Sequence, residues 1–91
     1  MSAKRQVKHA GEAALDELEP LLAQLRTLPR LKEKQRGTFY VGAKAFLHFH
    51  EDPAGPFADL KPSLDGGYER FRVRTAAERA RLVTLARRAL T

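Results

Sequence analysis

The stretch AFLHFH at residues 45–50 places two imidazoles, His48 and His50, two positions apart, with Glu51 and Asp52 directly after them. Residues i and i+2 of a β-strand project to the same side, so the pair can offer two nitrogen ligands to one metal ion. A metal site needs a third ligand and usually a fourth. Glu51 points opposite to His50 and Asp52 enters a turn, which leaves Asp59 on a neighbouring strand as the best remaining candidate and His9, near the N-terminus, as a poor one. Two imidazoles on a half-exposed strand also serve simply as medium-sized amphipathic residues. On this reading no metal and no other cofactor is expected, and the set His48, His50 and Asp59 stands as the alternative.

Other chemistry finds less support. General acid–base work needs carboxyl groups paired in a cleft, whereas Glu51, Asp52, Asp59, Asp65 and Glu69 fall mostly in turns or at strand ends. Asp52 before Pro53 and Asp65 before Gly66 read as turn residues, whose side chains bond nearby backbone N–H groups. Serine occurs only as Ser2 and Ser63, and the run GGYERF lacks the lysine and the spacing of a phosphate loop. With no cysteine, thiolate nucleophiles, thiolate zinc sites and disulfides are all excluded. The expectation is a non-enzymatic binding domain.

A third set mixes flat side chains with positive charge: Tyr40, Phe46, His48, His50, Tyr68, Arg70 and Arg72. Aromatic groups stack on bases and arginines meet phosphates, so these residues gathered on one sheet face would suit nucleic acid. The net charge of +6 points the same way, since Lys and Arg bound to phosphates release counterions. The same composition also suits a protein interface, and Phe46 with Tyr40 would leave an apolar patch for a second subunit to cover. Nucleic acid is the first expected partner, and a homodimer or another protein the alternative.

These side chains need elements to hold them. A chain of 91 residues can bury one small core, and its 43% hydrophobic and 31% charged residues mark it as globular. No apolar run approaches bilayer length and no secretory pattern follows the first basic residues, so a cytoplasmic protein without a membrane partner is expected. Residues 1–14, with Lys4, Arg5, Lys8 and His9, read as a flexible basic tail, and residues 15–91 as a single α+β domain. Asp16 and Glu19 have capping-box spacing, and Leu18, Leu21, Leu22, Leu25 and Leu28 follow at helical intervals until Pro29. Pro20 is tolerated near the start of such a helix, and kinks it if the helix begins upstream at Glu12.

After the charged segment RLKEKQRG, the runs TFYV and AFLHF flank Gly42 as a hairpin. A three-residue loop of Gly42, Ala43 and Lys44 directs Phe39, Val41, Ala45, Leu47 and Phe49 inward and Thr38, Tyr40, Phe46, His48 and His50 outward. The turn EDPAGP leads to FADLK, with Ala58 and Leu60 inward and Phe57, Asp59 and Lys61 outward. YERFRV alternates likewise, with Phe71 and Val73 inward and Tyr68, Arg70 and Arg72 outward. Thr75 and Glu78 open a last helix that runs to the C-terminus. The expected fold is an α+β two-layer sandwich of order α-β-β-β-β-α, with N- and C-terminal helices packed on one face of a small antiparallel sheet.

The run GTFYVGAKAFLHFHEDP, followed by ADLK and an arginine-rich final helix, resembles the small bacterial α/β proteins grouped around YjbR and MmcQ across residues 16–90. In that group a strand ending in glycine and lysine leads into an apolar strand, here Val41 to Leu47. The resemblance implies a frataxin-like sandwich and, because members of the group have been proposed to bind DNA, a nucleic-acid role. This chain departs from the pattern in lacking tryptophan and the fuller set of strands. Frataxins carry an acidic ridge for iron on the first helix. Glu12, Asp16, Glu17 and Glu19 are acidic here, but the chain is strongly basic overall, which argues against an iron-chaperone role.

Overall fold

The structure, a computed structural model, describes residues 8–91. In chain order these form β1 (Lys8–His9), α1 (Glu12–Glu17), α2 (Glu19–Arg26), β2 (Leu31–Gln35), β3 (Thr38–Val41), β4 (Lys44–Asp52), β5 (Gly55–Leu60), β6 (Glu69–Arg72) and α3 (Ala76–Ala89). The class is α+β, with every strand pairing antiparallel in one six-stranded sheet of order β2-β3-β4-β5-β6. β1 continues the lane of β3, pairing Lys8 with Glu51 and His9 with His50 on β4. No helix among the described residues is long and apolar enough to cross a membrane.

Two of these strands lie outside the expected set of four. The expected flexible tail spans residues 1–14. Residues 1–7, with Lys4 and Arg5, lie outside the described residues, whereas residues 8–14 hold β1 and open α1. Ala10 N donates to Phe49 O and Gly11 N donates to Glu51 Oε2, so the backbone leaving β1 is tied to β4 before the helix starts. The charged segment after Pro29 is β2, an edge strand. Charged side chains are tolerated there and discourage pairing with other chains.

The first helix begins at Glu12, and its axis breaks at Leu18 (φ −88°, ψ 0°), where Pro20 in the first turn of α2 has no N–H to continue the ladder. The Asp16–Glu19 capping box does not form, because both carboxylates serve Arg36 instead. Arg36 Nη1 donates to Glu12 Oε1 and Asp16 Oδ1, and its Nη2 donates to Glu19 Oε1. Arg26 bridges Glu19 and Glu33, while Glu33 also accepts from Gly37 N. Gly37 is required for two reasons: its φ of +82° lies in the left-handed region, and an added Cβ would meet Leu15 Cδ2 at 2.7 Å. The second capping box forms as expected, with Glu78 N donating to Thr75 Oγ1 and Thr75 N to Glu78 Oε1.

The β3–β4 hairpin differs from the expected one near its turn. Val41 pairs with Lys44, so the loop has two residues, Gly42 and Ala43, and Tyr40 pairs with Ala45. The register then shifts, so that Phe39 pairs with Leu47 and Thr38 with His48, and Phe46 is the extra residue of a β-bulge. Phe46 and Leu47 therefore both enter the core, at 0% exposure each, and Phe46 is not on the outward face. Lys61 N donates to Phe46 O, satisfying the bulged carbonyl. One buried cluster joins Leu18, Leu21, Leu22 and Leu25 of the first helical segment to Phe39, Phe46, Leu47, Phe49, Ala58 and Leu60 of the sheet and to Leu82, Val83 and Ala86 of α3.

Two outcomes test this packing. Phe46→Ala should destabilise the protein in urea unfolding by about 3–5 kcal/mol, the usual cost of emptying a buried phenylalanine site, and Tyr40→Ala by clearly less. Equal losses would contradict the bulge. Hydrogen bonds from Arg26 and Arg36 hold Glu19 below the ordinary carboxylate value of 4.5; at Glu33 burial raises the pKa, but Arg26 and the Gly37 N–H outweigh it and the net direction is again down. Carboxylates lowered in the folded state stabilise it above their unfolded pKa and lose that contribution as pH falls through the folded value. Stability should therefore decline below about pH 4.5, and Arg26→Ala should flatten the difference between urea midpoints at pH 7 and pH 3.

Candidate functional site

Strand pairing lays the outward residues in two rows. Thr38, His48, Asp59 and Arg70 stand opposite one another across β3, β4, β5 and β6, and His9, His50, Phe57 and Arg72 do so across β1, β4, β5 and β6. Their neighbours Phe39, Leu47, Phe49, Ala58 and Leu60 alternate into the core. Of the expected binding set, His48, His50, Arg70 and Arg72 occupy these rows. Tyr68 joins them by setting its ring edge-on to His48, with centroids 4.9 Å apart. Tyr40 lies on the same side of β3, with the Lys34 ammonium 4.4 Å from its ring centroid. Phe46 alone is removed from the set, by the bulge.

His9, the poor candidate in the sequence, is brought in by β1. Its ring stacks on His50 at 4.8 Å, and one nitrogen from each of His9, His48 and His50 lies within 4.8 Å of the others. A tetrahedral ion with metal–nitrogen bonds of about 2.1 Å spaces its ligands about 3.4 Å apart, so modest rotation of the imidazoles closes the set. His48 Nδ1 already stands 2.8 Å from His50 Nε2. Asp59, 9% exposed, reaches His50 Nε2 with Oδ2 at 3.3 Å and accepts from Arg70 Nε at 3.1 Å and Nη2 at 3.3 Å. It thus bridges His50 and the Arg70 guanidinium.

The electrostatics suit neutral imidazoles. Burial is the main cause lowering the His48 pKa, reinforced by His50. Burial also dominates at His50, with the Asp59 charge opposing it only in part. Nδ1 of His50 is buried without a hydrogen-bond partner among the described residues. The backbone of Lys8 on β1 stands close enough to His50 to raise its pKa in part, so the ring is not isolated from its neighbours.

The remainder of the face is covered by its own side chains. Phe57 is roofed by the Arg70 guanidinium, 4.1 Å from its centroid, and by the His50 ring at 5.4 Å. Tyr68, 41% exposed, is the exposed large hydrophobic residue among the described residues, with Lys61 over its ring. Sequence reasoning ranked His9 as a poor candidate and missed the packing role of Phe57. A two-residue strand leaves no periodic signal, and the outward parity of Phe57 did not show that it would be roofed.

No family model, curated protein or solved structure matches this chain. What the face can do rests on its geometry.

Asp59→Ala should destabilise the protein by about 1–3 kcal/mol, because it strands both Arg70 and His50. Arg70→Ala should cost less, its side chain being 56% exposed. A double-mutant cycle on Asp59 and Arg70 that gave no coupling energy would show the pair to be inert.

Proposed function

We propose that this protein binds a divalent transition-metal ion through His9, His48 and His50. The observation that carries the reading is the convergence of three imidazole nitrogens within 4.8 Å of one another. Imidazole suits zinc, copper, nickel and iron, and ligands must be unprotonated to bind, a condition that burial favours at His48 and His50. Asp59 is placed to orient His50, as carboxylates commonly do for ligating histidines. The reading is one of binding, and it assigns no catalytic step.

It takes the helices as one layer against the sheet side that carries Phe39, Phe49 and Leu60, which leaves the histidine side open to an ion. The single buried cluster joining the helix leucines to those strand residues supports that arrangement. The homodimer alternative loses its main anchor with Phe46 in the core.

Titration of the metal-free protein with cobalt(II) and zinc should show one equivalent taken up, with the visible absorption of cobalt reporting nitrogen ligation. Saturating zinc should raise the unfolding free energy, by about 2.7 kcal/mol at a hundredfold excess over the dissociation constant. His9→Ala and His48→Ala, each checked for folding by circular dichroism, should weaken uptake on the order of tenfold or more, as loss of one of three ligands implies. Undiminished uptake in both variants would refute the centre.

A further inference from the structure

We propose that the cleft between the β4–β5 turn and the edge strand β6 is a binding site for a phosphate-bearing anion, independent of the histidine centre. The cleft is open, with a volume of about 310 Å³, and Arg70, Arg72 and Arg74 line it together with Asp52, Gly55 and Phe57. Strand alternation produces this convergence. Arg70 stands opposite Asp59 and Arg72 opposite Phe57 on the outward side of β6, and Arg74 follows at the same spacing just beyond the strand end. Arg70 and Arg72 of this edge strand and Arg74 just past it line one side of the cleft, and among the described residues no strand pairs with the outer edge of β6.

Each arginine is held differently. Arg70 is fixed by Asp59 and lies over the Phe57 ring, so its orientation is set before any ligand arrives. Arg74 Nη1 donates to Ala54 O at 3.2 Å, and its aliphatic stem rests on Gly55. At Gly55, whose φ is +130°, an added Cβ would come within 2.5 Å of Arg74 Cδ. The turn glycine thus makes room for the arginine that closes the cleft. Arg72 makes no ion pair among the described residues, which leaves its fork available.

The acidic groups nearby do not cancel this charge. Asp59 is committed to Arg70. Asp52 lines the cleft, and its Oδ1 accepts from Ala54 N at 2.7 Å, which shapes the turn. Glu78 feels the charge of Arg72, but its carboxylate accepts from the backbone N–H groups of Arg74 and Thr75 to cap α3. With Arg70 neutralised by Asp59, Arg72 and Arg74 stand against the lining carboxylate of Asp52, which leaves the cleft net positive. Planar forks that donate paired N–H groups match the oxygens of phosphate better than a lysine ammonium does. The ligand class is therefore a phosphate monoester or diester, whether carried by a free metabolite or by a nucleic-acid strand.

The test titrates inorganic phosphate, and separately a mixed-sequence single-stranded oligonucleotide, into the metal-free protein while arginine side-chain N–H resonances are followed by NMR. Saturable shifts at Arg72 and Arg74 are expected with at least one probe. Arg72→Ala should weaken binding by about tenfold, and Arg72→Lys should restore only part of it, because the bidentate geometry is lost while the charge is kept. Gly55→Ala, which displaces Arg74, should weaken binding with Arg72 intact, and Arg81→Ala on α3 should change nothing. Binding of the oligonucleotide much tighter than phosphate, with a steep decline as salt rises, assigns the site to a strand. Comparable affinities assign it to small phosphate compounds. Saturation by neither probe, or saturation that Arg72→Ala leaves untouched, overturns the proposal, and neither result bears on the histidine centre.

Discussion

β4 is hydrogen-bonded along both edges, to β3 and β1 on one side and to β5 on the other, and the remainder of the molecule is arranged by that double pairing. A strand fixed on two sides cannot slip by one residue without turning every side chain over. Leu47 and Phe49 are locked toward the core and His48 and His50 away from it. The same register decides what their partners do: Ala58 and Leu60 follow the apolar side, and Phe57 and Asp59 follow the imidazoles. The irregularity within β4, the bulge at Phe46, lets two consecutive residues enter the core without disturbing the alternation beyond them.

Charge performs two different tasks in this fold. Around Arg26 and Arg36 it fastens the broken first helix to the edge strand β2 and its turn, through partly exposed bridges in which several acids share each guanidinium. Such networks count for more than isolated surface pairs, because holding one arginine serves several contacts. On the outward side of the sheet, charge is instead withdrawn from water. Asp59 is nearly buried, and Arg70 and His50 approach its oxygens from opposite neighbours. A further tie joins distant parts of the chain: Arg30, held at a φ of +78°, donates through Nη1 to Leu90 O and so anchors the turn after α2 to the end of α3.

Much of this was legible in the sequence where local pattern and tertiary environment agree. The alternation through FADLK and YERFRV sorts Ala58, Leu60, Phe71 and Val73 from Phe57, Asp59, Arg70 and Arg72 as the structure does, because those strands separate an apolar side from a polar one. Thr75 and Glu78 announce α3 by chemistry that needs nothing from elsewhere in the chain. β2 was hidden because an edge strand tolerates charge, so Lys32, Glu33 and Lys34 look like a linker. β1 was hidden because two residues carry no period. The hairpin was misread at one point: Gly42, at φ +61°, allows a two-residue turn, and the residue thereby gained by β4 is absorbed as a bulge. The candidate site suffered most from these gaps, because His9 depends on β1 and Phe46 on the bulge.

Asp59 also explains how an imidazole cluster and an arginine lane can share one side of a small sheet. A dication bound as proposed would repel a row of guanidiniums, and across a partly buried surface that repulsion would be screened far less than in bulk water. The carboxylate stands in the row between His48 and Arg70, touching His50 on one side and Arg70 on the other. From that position it offsets part of the field of each toward the other. It does so without leaving its place, since Oδ2 meets both His50 and Arg70 while Oδ1 meets Arg70 alone. A neutral residue there would retain the shape of the sheet and lose the separation. Asp59 thus stands between the imidazole cluster and the arginines as an acceptor for both, and the sheet places it there by the parity that β4 imposes.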